Sequence, residues 1–528
     1  MNISGSHFSI PMKLSTILLW MYLWILFVMQ AISIDTEMTI LFGLFLGMLA
    51  LVTSAVTLKI LIKIIPILKL EGENHHSCLV GVVVTAITFL VFEGYLAGQY
   101  PGGMSTDTIS QYSQALGETA YNDWHPVLHT LIFFTLPLRT GRRLGFIVFM
   151  QLIYFSLAFG YLCYALYKNR CPKLFLAFLC IYTWVNPFMA TYMMYPWKDI
   201  GLTIVATLLM GFYIQIICTN GEWLKKKINL TFFSVTAVVC SYMRHNAILF
   251  VLPLTMLVLF YGLKSWKIRI AVVLVMVSAF SLVKITYAAL DVQKPNSRVL
   301  ETVGLPVTIW CNVMQKNPDS LPEKTQEVMY HLASQEAYTN RYHTGSFNSI
   351  KFSKQMDLAA LDEFSYGKVI DYTVQCFIYA PRTSLEALAK LTDMVWAVDG
   401  KDEPITPNVN ENSWGIEKKP FPNAEILMNQ MKTFFSAGFG KIMFGAIGFM
   451  LLVMVIVALA LLAIGRSSFL HILPLFCYNF GTMLLLSGAD YRFFLLNLPL
   501  WMCVIFVMIQ DKKKINIPIK FRKEKVSK

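Results

Sequence analysis

Charge is scarce in this sequence. Only 14% of its 528 residues are charged while 56% are hydrophobic, against roughly 25% charged and 45–50% apolar in a soluble domain. That balance argues against an ordinary water-soluble globule. The ten cysteines include no Cys-x-x-Cys pair and no Cys/His cluster at metal spacing, so zinc-ribbon and thioredoxin-like readings are set aside. GxSxG, Walker A and HExxH are missing, and no GxGxxG stands in a suitable context. Hydrolase elbows, nucleotide-binding P-loops, zincins and dinucleotide sites therefore lack their signatures. Strand alternation and internal repeats are not evident, and the apolar runs are apolar on every face, unlike the strands of a membrane β-barrel.

What the chain does have is long apolar runs. Twelve spans are expected, at 13–33, 38–58, 78–98, 143–167, 173–192, 199–219, 229–243, 246–263, 268–288, 439–465, 467–487 and 491–510. Most are long enough to cross a hydrocarbon layer of about 30 Å as a helix. The 229–263 stretch is the least regular, too long for one span and short for two. The first run lacks a small-x-small cleavage pattern and reads as a retained span. The fold class expected is an all-α polytopic membrane protein.

The net charge of +13 is not read as a nucleic-acid signal, because much of it sits in short loops and in the terminal DKKKINIPIKFRKEKVSK. Basic flanks of spans set topology and attract anionic lipid. KILIKIIPILKL, YKNRCPK, EWLKKK, LKSWKIR and the tail all fall on one side if residues 125–138 do not cross. That run, HPVLHTLIFFTLPL, has 14 residues, a length more typical of an interfacial or re-entrant segment. Both termini are then cytoplasmic, and residues 99–142 and 289–437 are extracytoplasmic.

Residues 289–437 hold 18 of the 31 carboxylates. TQEVMYHLASQEAY and SLEALAKLTDMVW have helical spacing, and DGKDEPITPNVNENSWG is a turn-rich surface loop. A mostly helical outer domain is expected. Cys311 and Cys376 both fall in it, and a disulfide between them is left open.

The candidate chemistry lies at span ends. In YPGGMSTDTISQYSQALGETAYNDWHPVLHT, Pro101, Gly102 and Gly103 break the preceding helix, and Ser105 or Thr106 is placed to cap a new one. Asp107, Gln111 and Gln114 then share a face, followed by Asp123, His125 and His129. The plain alternative is a helix-capping aspartate on a polar interfacial helix. In YPWKDI, Lys198 and Asp199 lead into an apolar run; interfacial anchoring explains Tyr195 and Trp197, but a carboxylate there is costly near lipid. In SYMRHN, Arg244, His245 and Asn246 interrupt a long apolar stretch, either as a turn with a snorkelling arginine or as an oxyanion holder. Glu93, Lys284, Asp490 and Arg492 read as structural pairs or snorkelling residues. Most of these charges collect toward one face, whereas a transporter places them near the midplane in repeated halves.

This arrangement resembles the GT-C glycosyltransferases, and most of all the bacterial branch with PG-x-x-S-x-D and HP motifs. The resemblance rests on Asp107 in YPGGMSTDTISQ, the helix starting at WHPVLHTLIFF, Asp199 in YPWKDI and Arg244 in SYMRHN, over roughly residues 78–290. It departs in two extra leading spans and in a lone Asp107 where the family has an Asp-Glu pair. The resemblance implies spans at 1–77, a catalytic module at 78–288, an extracytoplasmic domain at 289–437, terminal spans at 438–510 and a basic tail at 511–528. It implies an inverting membrane transferase of the cell envelope, which moves a sugar from a polyprenyl-phosphate donor to a glycan, lipid or cell-wall polymer. Asp107, Asp199 and His125 would be catalytic. Arg244, Lys198, Gln111, His129, His245 and Arg382 would bind substrate. No metal ligand set is assigned, and a divalent metal is left open. A lipid-linked polysaccharide polymerase or ligase, leaning on Arg244 or Arg382, is the alternative, with a flippase or a non-catalytic scaffold behind it.

Overall fold

Continuous apolar runs offer the backbone no outside partner in lipid, so the chain satisfies its own N–H and C=O groups in helices. The computed structural model describes residues 10–34, 39–66, 75–141, 143–294, 302–400 and 402–514. The part of the IDTE loop at 35–37, the stretch around Glu71 at 67–74 and the basic tail at 515–528 lie outside the described residues.

The chain opens with α1 (Ile10–Ser33), α2 (Ile40–Ile64) and α3 (Ser77–Gln99), then the short α4 (Thr106–Leu116) and α5 (Val127–Leu138). Next come α6 (Leu144–Lys168), α7 (Lys173–Val185), α8 (Pro187–Tyr192), α9 (Lys198–Cys218), α10 (Lys227–Ser241), α11 (His245–Gly262) and α12 (Trp266–Ala289). Among the described residues, eight helices of at least 18 residues are apolar enough to cross a bilayer, the eighth being Tyr491–Gln510. These eight coincide with eight of the twelve expected spans, so the protein is polytopic.

The other four expected spans are short or interrupted. The run at 173–192 splits into α7 and α8 because Asn186 Oδ1 accepts from Phe188 N at 2.9 Å and Met189 N at 3.1 Å, an N-cap that starts a new helix at Pro187. Helix α10 has 15 residues, about 23 Å of helix, short of the hydrocarbon thickness. The 439–465 run bends by 72° between Phe439–Gly445 and Ile447–Ala463. The 467–487 run is a 3₁₀ turn followed by an 11-residue helix. Helix α5 spans roughly 18 Å at 1.5 Å per residue, too little to cross alone.

Packing follows from small residues and satisfied indoles. A side chain at Gly160 would strike Thr85 and the carbonyl of Gly81, so α3 and α6 pack backbone to backbone. Trp20 and Trp24 of α1 donate their indole N–H groups to the carbonyls of Gly47 and Gly43 of α2 at 2.9 and 3.1 Å. Helix α9 is buried along nearly its whole length and forms the spine of the bundle. Helix α12 presents Leu274, Val277, Leu282 and Ile285 outward, as a lipid-facing helix does.

Residues 302–396 carry a core of their own, with Trp310, Met314, Tyr338, Phe347 and Cys376 buried together. It is built on α13 (Gly304–Lys316), α14 (Glu323–Leu332), α15 (Gln335–Arg341), α16 (Tyr366–Tyr379) and α17 (Pro381–Trp396). The TQEVMYHLASQEAY run breaks at Ala333 and Ser334, where Ser334 caps α15. Cys311 and Cys376 are both buried free thiols. Helix α17 packs against α1 and against Ile447–Ala463. Residues 402–421 then run back as an extended strap, and α18 (Pro422–Phe435) packs on α3. The chain continues with α19 (Phe439–Gly445), α20 (Ile447–Ala463), α21 (Leu473–Met483) and α22 (Tyr491–Gln510).

Candidate functional site

The YPGG turn builds one wall. Gly102 has φ +99°, and a side chain on Gly103 would collide with the Tyr195 ring; glycine alone allows this contact. Gly103 N donates to Met194 O at 2.8 Å, which ties the first loop to the loop before α9. Ser105 caps α4 as expected, and its hydroxyl accepts the Trp197 indole N–H at 2.7 Å. Asp107, in the first turn of α4, is thereby set opposite the start of α9.

The charges then meet. Arg492, at the start of α22, donates from Nη1 to Asp107 Oδ2 at 2.8 Å, and its Nε lies 2.9 Å from Asp490 Oδ2 and 3.8 Å from Asp199 Oδ2. Arg244 Nη1 pairs with the other Asp199 oxygen. Three carboxylates and the three cations Arg244, Arg492 and Lys198 form one cluster. Aromatic rings hold the guanidinium groups in place: Arg492 stands 4.8 Å over Trp197 and Arg244 stands 4.0 Å over Phe493. Such stacking suits a planar guanidinium and would not suit lysine as well. Asp199 is 1% exposed, so its charge depends on these partners.

His125 is buried, and its Nδ1 lies 3.3 Å from Lys198 Nζ. Burial, then the Lys198 charge, pushes the imidazole down to about 3, so it is neutral at physiological pH. Burial works against ionisation of Asp107, but the Arg492 charge and hydrogen bond, with Lys198, outweigh it and hold the carboxyl below its ordinary range. His129 and Gln111 sit one layer deeper, with Gln111 Nε2 2.9 Å from both His129 Nδ1 and Thr130 Oγ1. His129 stacks on Phe133, and this pair forms the floor under the cluster.

Of the residues expected from sequence, Asp107, Asp199, Arg244, Lys198 and His125 come together, and Gln111 and His129 support them. His245 is exposed and lies 2.9 Å from the Asp123 carbonyl at the rim. Arg382 does not join: it lines a separate cavity of about 410 Å³ with Lys316, Asn317 and Glu386 in the helical domain. Sequence reasoning missed Arg492 as the hub. Its signal was visible in SGADYR, where opposite charges lead into an apolar run, but its partner Asp107 lies 385 positions away. Among the described residues, no group of three His, Cys, Asp or Glu side chains is arranged to hold a metal ion.

The strap closes one side. Met104 N donates to Asn408 O and Asn410 N to Met104 O, both at 2.9 Å. Trp414 meets Tyr112 at 4.8 Å between ring centroids and donates to Glu118 at 2.9 Å.

Residues 109–359 of the chain match a family of unknown function, DUF6020. No curated protein and no solved structure matches the chain.

Proposed function

We propose that the protein is a GT-C-like membrane glycosyltransferase of about twelve spans, taking a sugar from a polyprenyl-phosphate donor at the outer face of the cell membrane. The observation that carries this reading is the convergence of Asp107, Asp199, Arg244, Lys198 and Arg492 in one cluster at the ends of spans. A lipid-linked donor needs an oxyanion holder at the membrane surface, and the guanidinium groups at the ends of spans supply one.

In this reading the bond between the anomeric carbon and the bridging phosphate oxygen breaks as the acceptor oxygen bonds to that carbon from the opposite side. The acceptor proton passes to Asp107, and the electron pair leaves with the lipid phosphate. Asp107 is held ionised, so it accepts the hydroxyl hydrogen bond from the start and takes the proton once the oxygen has become acidic. Arg244 and Arg492 each spend only part of their five donors on carboxylates among the described residues, which leaves donors for the phosphate charge that develops. Neutral His125 and Asp199 position the acceptor and the cations.

The test is purified protein in nanodiscs with a panel of polyprenyl-phosphate sugars. Wild type should transfer one of them, and Asp107→Asn should lower the rate by about 100-fold or more while keeping the thermal midpoint. Full activity in that variant would remove Asp107 from the mechanism. Transfer of no sugar by wild type would count against the reading as a whole.

A further inference from the structure

We propose that the opposite end of the bundle binds an anionic membrane phospholipid, with its phosphate held between Lys168 and Lys226 and its upper chain against an aromatic crevice. Helix α9 starts at the charge cluster and runs 21 residues, so this end lies roughly 30 Å away. The site is independent of the transfer reaction.

The first observation is a charge placed against its helix. Lys225, Lys226 and Lys227 stand at the N-terminus of α10, where the helix dipole already presents positive charge and favours anions. Lys225 is relieved by Glu222 at 2.6 Å. Lys226 has no acidic partner among the described residues. Across from it, Lys168 donates to the Tyr164 hydroxyl at 2.9 Å and lies over that ring, again without a carboxylate. Capping of the α6 C-terminus accounts for Lys168 alone; it does not account for Lys226 at a helix end of the opposite sign.

The second observation is the space between them. Lys168 and Lys226 border a cavity of about 350 Å³ walled by Tyr161, Phe212 and Trp223. Phe212 stacks on Trp223 with centroids 5.4 Å apart and meets Tyr161 edge-on at 5.0 Å. The outer face of α10 continues the wall, with Ile228 57% and Phe232 54% exposed. Two candidate spans, α6 and α9, end here, which puts the lysines at the level where lipid phosphates lie and the aromatics just beneath. A neighbouring cavity of about 370 Å³ shares Lys168 and is lined by Arg170, Lys512 and Asp511, so cations outnumber the one carboxylate there. Cations above and rings below match a phosphate on an acyl chain; a free phosphate would use only the upper half.

Full-length protein, delipidated in neutral detergent, is titrated with dioleoyl phosphatidylglycerol or dioleoyl phosphatidylcholine, and bound lipid is read by native mass spectrometry. Wild type should prefer phosphatidylglycerol. Lys168→Gln/Lys226→Gln, both exposed positions, should bind it about thirtyfold more weakly, at roughly 1 kcal/mol per basic residue. Lys264→Gln/Lys267→Gln should leave binding unchanged. Chain-brominated phosphatidylglycerol should quench tryptophan fluorescence, and Trp223→Phe should remove part of that quenching. Equal binding by the Lys168/Lys226 variant overturns the site. So does an equal loss in the Lys264/Lys267 control, which would mean diffuse attraction. Displacement by inorganic phosphate at millimolar concentration overturns the lipid assignment in favour of a phosphate site.

Discussion

Arg492 touches two carboxylates closely and faces a third. Arg492→Lys keeps the charge but cannot fork between Asp107 and Asp490. Sugar transfer should fall about tenfold or more, in line with a lost charge-assisted hydrogen bond, with little change in the detergent thermal midpoint. Arg492→Met leaves the buried Asp199 with one partner and should cost about 3 kcal/mol of stability, read as a clear drop in that midpoint. Asp402 gives a pH-dependent case. Burial, with Asp393, Asp490 and Asp399 nearby, raises its carboxyl from 3.8 to about 6. The folded protein therefore binds that proton more tightly than the unfolded chain, and stability falls as pH rises from about 4 through 6. Asp402→Asn should stabilise the protein by about 1–3 kcal/mol at pH 8 and by nothing at pH 3. An equal gain at both pH values would show that the charge is not the cause. Single residues of this kind were partly legible in the sequence. Asp107, Asp199 and Arg244 stood out because ionisable groups at span ends are costly. Arg492 read only as a structural pair or a snorkelling residue, because its role depends on a contact with Asp107, 385 positions away, which no local pattern encodes.

At the scale of elements, the strap is the least expected feature. DGKDEPITPNVNENSWG reads as a turn-rich surface loop, whereas most of its described residues run extended. What composition could not convey is that its backbone pairs with Met104 and that Trp414 seats on Tyr112. Trp414→Ala should loosen that pairing, so backbone amides at 104–117 should exchange about tenfold faster in a hydrogen-exchange measurement. Unchanged exchange would mean that the two backbone bonds hold the strap alone. Eight of the twelve expected spans were legible because a hydrophobic average finds long apolar runs. Span continuity was not: Asn186 and Ala446 interrupt helices inside runs whose average hydropathy barely changes. That residues 125–138 form only a short apolar helix was legible from length alone.

For the whole molecule, topology is the open arithmetic. The basic loops sort to one side only if α5 does not cross, and the helical domain then shares the side of the charge cluster. In a cysteine-free background, Asn412→Cys should react with an impermeant maleimide on intact cells, and Glu222→Cys only after permeabilisation. Reaction of both from the same side would overturn the twelve-span reading. The long-range union of Asp107 with Arg492 also bears on how the protein is made. Synthesis proceeds from the N-terminus, so Asp107, Asp199 and Arg244 are in place well before the residues of α22 leave the ribosome. Until that helix inserts, the mouth carries carboxylates without their shared counter-ion. A partly synthesised protein therefore holds most parts of the cluster but not its charge balance until the helix bearing Arg492 arrives.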